Sequence, residues 1–350
     1  MSDFWRHRTV FLTGHTGFKG TWLCLWLREM GAEVIGYALA PAAAPNLSGL
    51  IGCASRSVIG DIRDLSNLRR VMREANPHIV VHMAAQALVR ESYGDPLSTF
   101  ATNIMGTAHV LQACRELPRV QGVVIVTSDK VYENHGAGRA FDEADRLGGH
   151  DPYSASKACA ELVTTSFRDS FFAHGPPLAT ARAGNVIGGG DWSIDRLIPD
   201  CVRALEGATP VSLRNPEAVR PWQHVLDPLS GYIALAERLA ASAPQAPHAV
   251  NFGPNPASFC TVREVVEAFS ARFSGKPGWV RDPAEHPAEA QHLTLSSSLA
   301  AQAFGWRPRL GVKEALAWTV DWYRAHAAGE NMVSFSKAQL AHYRSLQETV

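Results

Sequence analysis

Charge of a prevailing sign is missing from this chain: 33 Lys and Arg balance 33 Asp and Glu, so the formal net charge is zero. Without a basic field there is no long-range pull on a polyanion, which argues against nucleic acid or an anionic membrane as partner. The cysteines Cys24, Cys53, Cys114, Cys159, Cys201 and Cys260 are scattered, with no CxxC pair. That suits neither a disulfide framework nor a zinc site and fits reduced thiols in the cytoplasm. The histidines include no HExxH or similar spacing, so no metal is expected. No apolar run reaches the length of a membrane span. The opening MSDFWRHR lacks the apolar stretch of a secretory signal, which leaves a cytoplasmic location as the expectation. Internal repeats are absent as well.

What the chain does have is alternation. Short apolar runs (TVFLTG, EVIGYAL, IVVHMAA, GVVIVTSD, LATARAGN) are separated by helical patterns such as GTWLCLWLREMG, LSNLRRVMREA, a stretch from Ser98 to Glu116, and YSASKACAELVTTSFRDSFF. Continuous apolar strands alternating with helices predict a parallel sheet covered on both faces, a Rossmann-type doubly wound α/β fold. After Asn185 the chain turns to Gly- and Pro-rich loops (GNVIGGGDW, RNPEAVRPWQHVLDP, NFGPNP, RDPAEHPAEAQH) between short helices. Residues 1–185 are therefore expected to form a dinucleotide-binding domain. Residues 186–350 form mainly a smaller substrate-binding lobe, with parts of 215–255 returning to the main sheet.

TGHTGFKG places Gly14, Gly17 and Gly20 after a strand and at the start of a helix. Glycines there permit a tight turn and a close approach to a pyrophosphate, which the helix N-terminus favours. Thr16 and Phe18 belong to the same loop. In GDIRD, after the third strand, Asp61 and Ile62 can flank an adenine, although a helix-capping turn ending at Asp64 explains the same residues. The second strand ends in VIGYALAP, which offers Tyr37 but no carboxylate for ribose hydroxyls and no arginine for a 2′-phosphate, so this stretch does not separate NAD from NADP.

YSASK sets Tyr153 and Lys157 one helical turn apart on one face. A free tyrosine, with a pKa near ~10, is a poor base at neutral pH. An ammonium beside it favours the phenolate, making a general base for an alcohol. Ser128, at the end of the preceding strand, can hydrogen-bond the same hydroxyl. A surface helix carries such a pair by chance, but a dinucleotide loop upstream and Ser128 make catalysis the better reading.

With these residues in view, the chain resembles the extended short-chain dehydrogenase/reductases over nearly its whole length. Within them it is most similar to the CDP-glucose 4,6-dehydratases, through TGHTGFKG, GDIRD, HMAAQALVR, TSDKVYEN, GGHDPYSASKACAELV, ARAGNVIGGGDW and RPWQHVLDPLSGY. The resemblance implies NAD as cofactor, with Ala84, Ala85 and Gln86 beside it, CDP-D-glucose as substrate, and a homodimer or homotetramer. It also implies two-stage chemistry. The sugar is oxidised at C4 with Tyr153 as base, and water is then lost across C5 and C6. Hydroxide leaves poorly, so the C6 oxygen needs a proton donor. Asp129 is the candidate, given a pKa raised by burial; its other reading is a loop-fixing aspartate. Lys130 stands where dehydratases of thymidine-nucleotide sugars carry a glutamate base. It can act as a base with a depressed pKa or stay charged and stabilise the enolate.

Asn185, at a strand end, is expected to touch the sugar or diphosphate. Arg220 and, more weakly, Arg196 are expected to clamp the diphosphate. Gln86 and Arg90 follow another strand and are expected to line the pocket. Asn103, mid-helix in NIMGT, takes from the resemblance a role near the catalytic tyrosine; the plainer reading is a helix-bending side-chain bond. Two rivals remain at this level. A nucleotide-sugar 4-epimerase needs Tyr153 and Lys157 but no acid at C6. A non-catalytic dinucleotide sensor needs neither.

Overall fold

The computed structural model describes residues 3–42, 44–52, 54–136, 138–241, 246–273, 278–284 and 292–346; Cys53 and residues 285–291 of the RDPAEHPAEAQH loop lie outside them. Seven strands build the main sheet: β1 Thr9–Thr13, β2 Glu33–Ala38, β3 Arg56–Ile59, β4 Ile79–His82, β5 Gly122–Val126, β6 Leu178–Ala183 and β7 Ala249–Phe252. Their order is β7-β6-β5-β4-β1-β2-β3, and every pairing is parallel. The continuous apolar runs follow from burial on both faces. Val10 and Leu12 pack into one core with Trp22 and Val34, while Phe11 between them points into the other with Ile35 and Tyr37. Strand order reverses at β1, which opens the crevice between β1 and β4 where such sheets bind ligands.

The stretch expected as one helix from Ser98 to Glu116 is interrupted. An α-helical turn, Pro96–Phe100, passes through a π-helical segment, Ala101–Met105, into the helix Gly106–Cys114. Asn103 lies in the widened turn, and its side chain is engaged outside the helix. Its Oδ1 accepts from the Gln86 N–H at 2.9 Å, and its Nδ2 donates to the Gln86 carbonyl at 3.0 Å and to Ser156 Oγ at 2.8 Å. A π-segment at such a point often marks a functional site.

The helix Leu226–Ala240 lies against the sheet and leads to β7, so residues beyond 185 complete its edge. The rest of the later chain forms small paired segments: Val186–Ile187 with Gln223–His224, Val219–Pro221 with Phe259–Thr261, and Val211–Leu213 with Trp279–Arg281. Among the described residues no helix is long and apolar enough to cross a membrane.

Candidate active site

Two adjoining cavities meet at Tyr153. The first, about 350 Å³, is lined by Gly14, Thr16, Gly17, Phe18, Gly20, Asp61, Ile62, Ala84, Ala85 and Lys157. The second, about 250 Å³, is lined by Asp129, Lys130, Asn185, Arg90 and Arg220; Ser128, Tyr153, Gly184 and Arg196 belong to both.

The glycine loop is shaped by close approach. Gly14 has φ +79°, and a Cβ there would stand 2.7 Å from the Ala84 nitrogen; a Cβ on Gly20 would stand 2.0 Å from the Gly14 carbonyl oxygen. Gly17 begins the helix Phe18–Glu29 with no side-chain cap, so the first N–H groups stay available to an anion. This cradle fits a dinucleotide. Thr16 Oγ1 donates to the Leu39 carbonyl at 2.9 Å and ties the loop to the end of β2. The two aspartates of GDIRD divide the expected roles. Asp64 caps the helix Leu65–Ala75, accepting from the Asn67 N–H at 3.1 Å, while Asp61 lines the cavity and is paired with Arg63 at 2.6 Å.

Tyr37 is not brought to the cavity. Its ring is fully buried against Phe11, and its hydroxyl donates to the Asp61 carbonyl at 3.0 Å. It supports the loop from beneath, because the inward face of β2 is core. Gln86 also stays out of both linings. Its Nε2 donates to the Leu88 carbonyl at 2.8 Å and its Oε1 accepts from the Leu88 N–H at 3.0 Å, so both ends are spent on its own turn. Asn103 lines neither cavity. It touches the tyrosine only through Ser156, whose Oγ donates to the Tyr153 carbonyl at 2.7 Å.

Tyr153 and Lys157 lie in the helix Pro152–Phe171, whose N-terminus is capped by Asp151. Burial pushes the Tyr153 phenol above its ordinary value, against the pull of Ser128 and the Arg196 charge. The expectation that Lys157 lowers it therefore does not hold for the protein alone. The Lys157 ammonium donates to the Val126 carbonyl at 3.2 Å, and burial brings it down to about 8 while Glu161 pulls it back up. Glu161, one turn further, is itself buried and paired with Arg182 at 2.8 Å, and it accepts from Thr127 and Thr180. The TSDK stretch turns sharply after β5. Ser128 caps the short 3-10 turn Asp129–Val131, and its Oγ donates to Asp129 Oδ1 at 3.0 Å. Asp129 is 3% exposed, and its Oδ2 has no hydrogen-bond partner. Burial raises its pKa, opposed by the charge of Lys130. A buried, unpaired carboxyl oxygen facing a cavity is suited to hold a proton and release it.

Arg220 is buried and lines the second cavity with Arg196. Arg90 reaches the same wall and is paired with Asp195 at 2.7 Å. Sequence reasoning missed Lys19, inside the glycine loop itself. Its ammonium donates to Tyr232 Oη at 2.9 Å, and burial with the Arg196 and Lys157 charges brings it to about 7. A long cationic side chain between Phe18 and Gly20 of the glycine loop was the available signal. Asp191, Asp195 and Asp200, also in the lining, carried no signal beyond their place in a loop-rich segment.

A dinucleotide cradle that meets a Ser–Tyr–Lys set and a buried carboxyl of raised pKa, with a second arginine-lined cavity beside it, defines a dehydrogenase-type enzyme acting on a nucleotide sugar. The family model described as GDP-mannose 4,6 dehydratase matches residues 11–319, and the chain belongs to this family of nucleotide-sugar dehydratases. It is 47% identical over 351 residues to a CDP-glucose 4,6-dehydratase of Salmonella typhimurium, covering 98% of each chain. Among solved structures it is similar to MoeE5 in complex with UDP-glucuronic acid and NAD, at 26% identity and TM-score 0.78, covering 91% of this chain and 99% of that one. It is also similar to the Thermus thermophilus UDP-glucose 4-epimerase complex with NAD, at 28% identity and TM-score 0.77, covering 90% and 99%.

Proposed function

We propose that this chain is an NAD-dependent 4,6-dehydratase that converts CDP-D-glucose to CDP-4-dehydro-6-deoxy-D-glucose. NAD bound in the first cavity would supply the hydride-transfer chemistry between C4 and C6 of the sugar. Gly14, Gly17, Gly20, Asp61, Ile62, Ala84 and Ala85 line the cavity that holds it. Tyr153 takes the proton of the 4-hydroxyl, with Ser128 hydrogen-bonding the same oxygen and Lys157 supplying positive charge beneath. The ketone acidifies C5. Lys130 serves the loss of that proton, either taking it or steadying the enolate. Asp129 delivers its proton to the C6 oxygen as water leaves. Arg196 and Arg220 hold the diphosphate.

The observation that carries this reading is Asp129: a buried carboxyl, raised in pKa, in one cavity wall with Tyr153. An epimerase needs no such donor. The cytidine assignment is supported by the Salmonella typhimurium relative. Incubation with CDP-, UDP-, dTDP- and GDP-glucose tests it: CDP-glucose should give the keto-deoxy sugar fastest. A galactose isomer as the product sinks the reaction, and preference for another nucleotide sinks the substrate.

The active form is proposed as a homodimer. Leu97, Met105 and Leu162 are 78%, 52% and 59% exposed on the helices next to the active-site tyrosine, an apolar face a second copy would cover. A cytoplasmic location is proposed from the thiols: the described cysteines are all free.

A further inference from the structure

We propose that Asp200 selects the base, its carboxylate accepting a hydrogen bond from the exocyclic amino group of cytosine. The proposal rests on the reading above of the substrate as a CDP-sugar. The second cavity runs from Tyr153 and Asp129 at the sheet edge to Ser212, Leu213 and Arg214 in the lobe. A nucleotide sugar with C4 at Tyr153 puts its diphosphate beyond, between Arg196 and Arg220. Its base then lies at the far end, where the first turn of the helix Leu197–Glu206 meets the strand Val211–Leu213.

Four carboxylates line this cavity, and one serves the chemistry. Of the other three, each with one oxygen engaged, Asp200 is the one in the first turn of the helix packed against Val211–Leu213. Asp129 belongs to the chemistry. Asp191 Oδ1 accepts from the Ser193 N–H at 3.0 Å and from Ser193 Oγ at 2.6 Å. Asp195 is paired with Arg90 at 2.7 Å. Asp200 gives Oδ1 to Arg203, and among the described residues its Oδ2 carries no hydrogen bond. Burial raises its pKa, while Arg203 and, less strongly, Arg214 favour the ionised form.

Cytosine and uracil differ where this matters. Cytosine carries an amino donor at C4, uracil a carbonyl acceptor. An ionised carboxylate accepts and cannot donate, so it pairs with the first and repels the second. Rejection of the wrong ligand by a fixed like-charge or acceptor–acceptor contact is an effective route to specificity.

The test compares kcat/KM for CDP-glucose and UDP-glucose, with inhibition by CDP and UDP as a binding readout. In Asp200→Asn, whose amide both donates and accepts, the CDP:UDP ratio should fall by about 10-fold or more, with UDP-glucose gaining in absolute terms. Asp200→Ala removes the acceptor and should lower the ratio mainly through loss of CDP-glucose turnover. Arg203→Gln removes the ion pair but keeps the carboxylate and should leave the ratio where it was. An unchanged ratio in both Asp200 variants, with a wild type that prefers CDP-glucose, overturns this inference alone. A wild type without that preference overturns the substrate reading, and the inference with it.

Discussion

Gly184 stands directly against Asp129: a Cβ on Gly184 would lie 3.0 Å from Asp129 Oδ2 and 2.5 Å from the Pro221 ring. The oxygen without a hydrogen-bond partner therefore lies beside a position that only glycine leaves open, in a residue that lines the second cavity.

Tyr153→Phe and Asp129→Asn should fail at different stages. The phenylalanine variant lacks the base for the 4-hydroxyl, so neither oxidation nor elimination runs. The asparagine variant keeps the shape and loses the proton, so elimination slows by ~10²–10⁴-fold while oxidation survives. Reduced nicotinamide absorbance should accumulate on mixing Asp129→Asn with CDP-glucose. Normal turnover by that variant would place the acid elsewhere.

Cofactor retention should be modest. No carboxylate ends β2, Tyr37 is buried beneath the loop, and Asp61 is occupied by Arg63. Protein purified without added NAD should gain activity when NAD is supplied. Full cofactor occupancy after gel filtration, with no response to added NAD, contradicts this.

Stability should depend on pH through Asp227. Its Oδ1 accepts from the Arg309 N–H at 2.9 Å and from Tyr343 Oη at 2.8 Å, Oδ2 has no partner, and burial pushes the carboxyl up to about 6. The folded chain holds this proton more tightly than the unfolded one, whose aspartate titrates near ~3.9. The resulting stabilisation is complete below about pH 4 and lost as pH rises through about 6, up to ~3 kcal/mol in all. Asp227→Asn should therefore lose less Tm between pH 5 and pH 8 than the unmodified chain. Equal losses would show that Asp227 does not titrate in this way.

Association should depend on the apolar face beside the active-site helix. Leu97→Glu combined with Leu162→Glu should give a monomer by light scattering at micromolar concentration where the unmodified chain is a dimer. A monomeric unmodified chain would refute the proposed assembly.

Apolar runs made the sheet legible, because a strand buried on both faces leaves no alternation to misread. The glycine loop and Tyr153–Lys157 were legible because their chemistry is local: the residues that act together lie within one turn or one helix. Gln86 and Tyr37 stay outside both cavities, and Asn103 follows the plainer of its two readings, a side-chain bond out of an interrupted helix. Each sits at a strand end or on a helix near the site, yet its polar atoms are engaged by other residues: Ser156 for Asn103, Asn67 for Tyr37, and Leu88 of its own turn for Gln86. Lys157 was expected to lower the Tyr153 pKa, whereas burial of the phenol raises it, opposed by Ser128 and the Arg196 charge. The interruption of the helix after Phe100 coincides with Asn103 bonding outward to Gln86, as the mid-helix asparagine suggested, though the partner was not announced by any local pattern.

The late arrival of β7 has a consequence for synthesis. Until residue 252 has been made, β6 presents a bare edge of N–H and C=O groups, and Tyr132 lacks Asn251, which accepts from its hydroxyl at 2.7 Å. A fragment ending at residue 185 keeps the whole glycine loop and the Tyr153 helix, but its open edge is a template for pairing with other chains. Cutting the protein between its halves should therefore yield a fragment prone to edge pairing rather than a portable cofactor-binding module.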